Sequence, residues 1–100
     1  MNEELCAIIE RNLIDKVIGE VRVEAGTRYN KAKEMYVPVY IVNITSPDFN
    51  WHKWYEVDYI FDYFNSGKTI DDLIGQILWK YKGFLIYKCV TEKYFKLITA

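Results

Sequence analysis

The chain has 100 residues, 51% of them apolar, with 13 basic side chains against 14 acidic ones. That length supplies one core, because such a chain buries roughly 60 to 70% of the surface its unfolded form exposes, so residues 1–100 read as a single domain. A formal charge of −1 argues against the basic excess that drives phosphate binding and equally against the acidity of a whole-surface nucleic-acid mimic.

In chain order, Leu5, Ile8, Ile9, Leu13, Val17 and Ile18 share a helical face with Glu3, Glu4, Glu10, Arg11 and Asp15 opposite. This predicts an amphipathic helix over the first 16 to 18 residues, ending near Gly19. The period then changes to two: Val21, Val23 and Ala25 alternate with Glu20, Arg22 and Glu24, as in a strand with one wet face. A polar stretch from Gly26 to Glu34 reads as a long basic loop, and Met35 to Thr45 as the second strand of an antiparallel hairpin. Pro38 is awkward there, since proline cannot donate to a ladder and favours edges, strand starts and bulges.

Ser46, Pro47 and Asp48 form the next turn. A strand from about Trp51 to Val57 and a short helix from about Tyr59 to Ser66 follow, with Asp58 as N-cap and Gly67 as the residue that ends the helix. Thr69 and Asp72 have the spacing of a capping box, and Ile70, Leu73, Ile74, Ile77, Leu78 and Tyr81 continue as one apolar stripe. Gly83 interrupts that pattern, after which Phe84 to Thr91 alternates like a strand, and Tyr94 to Ile98 reads as one more. The expected architecture is α+β: an antiparallel sheet of four to five strands, with the N-terminal helix and the two central helices on one face.

Cys6 and Cys89 lie far apart among apolar neighbours and read as reduced core thiols. No apolar run approaches the roughly 18 residues that span a bilayer, and the acidic start MNEELCAII is unlike a secretory signal. The expectation is a cytoplasmic protein with no membrane partner. Twelve Ile, ten Lys, nine Tyr and six Asn against four Ala is the usage of an AT-rich genome, and points to a low-GC bacterium or its phages.

The run YEVDYIFDYFNSGKTIDDLIGQILWKY, residues 55–81, resembles a segment of a Firmicute domain of unknown function. In that family a sheet strand ends in an aromatic and a branched aliphatic, a Tyr-rich helix runs into a glycine, and a helix with spaced Ile, Leu and Tyr follows. Val57, Ile60, Phe61, Phe64, Gly67, Ile77 and Tyr81 would occupy the matching positions. The chain departs from the pattern with Ile60 where a tyrosine is expected and with a hairpin lacking the family's Asn-rich turn. The resemblance implies the fold and a bacterial, phage or mobile-element origin, and it carries no catalytic residue.

The chemistry-bearing residues are sparse. His52 is the sole histidine, Cys6 and Cys89 show no ligand spacing, and no metal or other cofactor is expected. Asp58, Asp71 and Asp72 are accounted for by helix starts, which leaves Asp62 alone and no pair of carboxylates for acid–base work. No phosphate loop or nucleophile elbow is present. The chain is therefore read as no enzyme.

Aromatic residues make up 17% of the chain, and Tyr and Trp are the residues that supply binding hot spots. If Trp51 and Tyr55 face the core, then His52 and Trp54 face outward. Together with Arg28, Tyr29 and Lys31 of the basic loop they form the expected protein-binding set. The expected function is a small non-enzymatic protein-binding module, of the kind that inhibits a bacterial defence protein, as anti-CRISPR proteins do. The alternative is a single-stranded nucleic-acid binder using Lys88, Lys93, Lys96 and Tyr94, where charge and aromatics interleave.

Overall fold

The computed structural model describes residues 2–87. Helix α1 (Asn2–Leu13) runs into a 3-10 turn (Ile14–Lys16), followed by strands β1 (Glu20–Asn30), β2 (Met35–Ser46) and β3 (Phe49–Glu56). Helices α2 (Val57–Asn65) and α3 (Ile70–Tyr87) follow and complete the described residues. The described strands form one antiparallel sheet in the order β1-β2-β3. The class is thus α+β as expected, with three described strands in place of four to five.

Strand parity and burial assign the two faces. Val23, Tyr40, Val42, Ile44, Trp51 and Tyr55 point to the helix-covered face and join Ile9, Leu13, Ile60, Leu73, Ile77, Tyr81 and Leu85 in one core. Tyr81, wholly buried, satisfies its hydroxyl at the turn after α1: it donates to the carbonyl of Ile18 at 3.0 Å and accepts the Ile18 amide at 3.3 Å. Gly19 beside it is obligatory, because its φ is +125° and an added Cβ would sit 2.8 Å from the Thr45 carbonyl oxygen. Glu10 accepts the Val23 amide at 3.1 Å, so α1 occupies a donor on the β1 edge.

The capping box is present: the Thr69 amide donates to Asp72 Oδ2 at 2.8 Å, and the Asp72 amide to Thr69 Oγ1 at 3.3 Å. Those hydrogen bonds from Thr69 hold the Asp72 carboxyl below its ordinary range. Gly67, with φ +98°, follows α2 as expected, its amide donating to the Phe64 carbonyl. Asp58, however, is no N-cap. Glu56 takes that position with an extended backbone and no side-chain cap, and Asp58 lies in the first turn, where its charge suits the helix dipole.

Two further corrections have clear causes. The basic loop from Gly26 to Glu34 is mostly strand: β1 runs to Asn30, and only Lys31 to Glu34 turn. Pro38 is tolerated in β2 because the β3 ladder starts one residue later, at Val39 opposite Glu56. Helix α3, in turn, passes straight through Gly83 to Tyr87, so Phe84 to Tyr87 is helix and no strand begins there. Leu85 is fully buried four residues after Tyr81, and that added burial outweighs the roughly 1 kcal/mol a mid-helix glycine costs. The rest of that expected strand, the strand over Tyr94 to Ile98, and Cys89 lie outside the described residues. Cys6 is a free, buried thiol, and burial together with Glu10 and Glu3 pushes its pKa up.

Candidate protein-binding surface

The register fixes which side chains meet at the end of the hairpin. β1 and β2 pair from Glu20 opposite Thr45 out to Asn30 opposite Met35, whereas β3 pairs with β2 only as far as Val39. The last turns of the hairpin therefore extend past the third strand. On the helix side of the sheet the alternation Val21, Val23, Ala25, Thr27, Tyr29 continues unbroken, yet burial stops after Val23 and everything beyond is exposed. Tyr29 and Tyr36, directly opposed in the ladder, meet edge to face with ring centroids 5.3 Å apart and remain 48% and 69% exposed.

The other face of the same segment carries a small cluster of its own. Val37 and Val39 are buried although they lie on the face opposite the core that the described helices share. Their cover comes from the flanking strands: the Arg28 guanidinium lies 3.7 Å from the centroid of the Trp54 ring, bridging β1 and β3 across β2. Gly26 makes the trough beneath, since a Cβ there would approach Ile41 Cδ1 to 3.2 Å. Asn30 Nδ2 donates to Glu56 Oε1 at 3.3 Å, and Lys33 Nζ sits 3.8 Å from Glu56 and 3.9 Å from Asp58. Arg28, Lys31 and Lys33 thus have three carboxylates near them in space or sequence, Glu34, Glu56 and Asp58, and the tip carries little net charge.

Of the five residues expected to bind a protein, four line a single depression of about 310 Å³: Arg28, Tyr29, Lys31 and Trp54, with Asn30, Val37 and Glu56. Trp54 is half-buried, and what covers it is Arg28 from β1. His52 stands apart. It is exposed on the same outer face but pairs with Asn43 at the polar end, near the trough of Glu20, Arg22, Glu24 and Asn50. Lys88, Lys93, Lys96 and Tyr94 lie outside the described residues.

Two features had weaker sequence signals. Tyr36 and Met35, 69% and 54% exposed, begin a strand that reads as core throughout, and only the cross-strand pairing shows them to be at the uncovered tip. Tyr55, Tyr59 and Tyr63, spaced by four, form a stacked file with centroids 6.0 and 5.9 Å apart. This file borders a second cleft of about 450 Å³ between β3 and α3, which Lys53, Gln76 and Lys80 also line. Burial leaves the Tyr55 hydroxyl without a hydrogen-bond partner among the described residues and pushes its pKa up to about 12, so it stays neutral at physiological pH. Among the described residues no group of three or more His, Cys, Asp or Glu side chains could hold a metal ion. Nor is any helix there long and apolar enough to cross a membrane. In comparisons with known proteins the chain matches no family model, no curated protein and no solved structure.

Proposed function

We propose that this chain is a non-enzymatic protein-binding module whose contact surface is the uncovered end of the β1–β2 hairpin. The observation that carries the reading is the Tyr29–Tyr36 pair, two large aromatic rings locked against each other at 5.3 Å and still exposed on a hairpin that runs past its third strand. Tyrosines with few rotatable bonds, already held in one geometry, lose little entropy on binding and act as anchors. Lys31 at the turn and Arg28 on the opposite face flank them on a tip of little net charge, so the partner is a protein surface with an apolar pocket and a polar rim. Composition and the resemblance of residues 55–81 support a bacterial or phage origin, and the proposed role is that of an inhibitor of a defence protein in the host cytoplasm.

The test is comparative capture from a low-GC bacterial lysate with wild type and with Tyr29→Ala/Tyr36→Ala. A partner held by wild type should bind the variant more weakly by about 2 kcal/mol or more while the variant's circular dichroism is unchanged. Equal capture by both removes the hairpin from the interface. Sub-micromolar binding of single-stranded DNA or RNA near 150 mM salt, with log affinity falling steeply against log salt, would overturn the reading in favour of nucleic acid.

A further inference from the structure

Helix α3 has an outward face that nothing among the described residues explains. Its buried residues, Leu73, Ile74, Ile77, Tyr81 and Leu85, define one side, and Trp79 lies diametrically opposite with 77% of its surface exposed. On the same outward strip stand Asp72, Gly75, Lys82, Gly83 and Ile86, the last 60% exposed. A solvated helix face is normally charged, and mid-helix glycines weaken a helix relative to alanine. Neither glycine is needed for packing among the described residues, because a Cβ added at Gly75 or Gly83 meets nothing there within 4 Å.

We propose that this face binds a second copy of the chain, with the two α3 helices antiparallel about a two-fold axis that passes between Gly75 and Trp79. Charge selects the register. Seating Trp79 over Gly75 of the second copy also sets Asp72 opposite Lys82 of that copy, and two-fold symmetry repeats both contacts. Seating Trp79 over Gly83 instead would move Lys82 away from Asp72, and a parallel arrangement in register would oppose Asp72 to Asp72. Gly75 lets the backbones approach closely enough for each indole to lie flat across the other helix. One face of one helix falls at the small end of specific interfaces, so the dimer dissociates at micromolar concentration. The inference is independent of the hairpin reading, whose residues lie on other elements.

Sedimentation equilibrium of the whole chain from 1 to 200 µM decides it. The expected result is a reversible shift from the 11.9 kDa monomer to twice that mass. Trp79→Ala should weaken association at least tenfold, and Lys82→Glu should weaken it several-fold by setting like charges face to face. Gly75→Leu is the discriminating variant: it should abolish the dimer while leaving the melting temperature equal or higher, since leucine favours helix and its Cβ has open space among the described residues. A wild type that stays monomeric across the range overturns the proposal, whatever else covers Trp79. So does a dimer that Gly75→Leu and Trp79→Ala leave intact.

Discussion

The two ends of the β1–β2 hairpin carry the same sequence rhythm and meet opposite fates. Near the turn into α1, Val21 and Val23 alternate with charged residues and lie under the helix; farther out, Ala25, Thr27 and Tyr29 keep the same phase and stand in water. Alternation therefore says only which side chains share a face. What buries them is the reach of another element, and α1, only 12 residues long, covers one end of the ladder alone. At the covered end side chains contribute to stability, and at the free end they are available for recognition.

Substitutions along this one ladder sharpen the contrast. Ile44→Ala, on the covered face of β2 and fully buried, should cost about 2 to 5 kcal/mol in chemical denaturation. A loss below 1 would mean the helix layer does not pack there. At the boundary, Tyr55 holds a buried hydroxyl with no partner among the described residues, and Tyr55→Phe should stabilise the fold by about 1 kcal/mol. The pH profile gives a second readout. A phenol whose folded pKa is raised from 10 to about 12 contributes stability that is whole below pH 10 and is lost as the pH rises through about 12. The phenylalanine variant should shed that part of the alkaline destabilisation, and an unchanged alkaline limb would assign it to other groups.

At the free end the effects shrink. Tyr36→Ala should cost about 0.5 to 1.5 kcal/mol, the worth of its edge-to-face contact with Tyr29, because little burial is lost. Arg28→Ala should cost about 0.5 to 1 kcal/mol through the lost stacking on Trp54, and the same variant should shift the tryptophan emission to the red as the indole gains water. If Tyr36→Ala proved as damaging as Ile44→Ala, the hairpin tip would be part of the core and could not serve as a recognition surface.

Residue order alone determined the local elements wherever a single physical rule governed them. The Thr69 and Asp72 capping box, the 3.6-residue stripe of α3, Gly67 after α2 and the inward phase of Trp51 and Tyr55 all follow from neighbours a few positions apart. Two rules competed over Phe84 to Tyr87, where alternation suggested a strand. Leu85 falls on the buried stripe, so the helix continues, and that burial is visible only once α3 is docked. The grouping of Arg28, Tyr29, Lys31 and Trp54 around one depression likewise depends on the pairing of β1 and β3 with β2, which brings together residues some 25 positions apart. Sequence periodicity constrains the direction a side chain takes from its own backbone. Only the packed arrangement of helices and strands decides whether protein or water lies in that direction, because cover comes from elements distant in the chain.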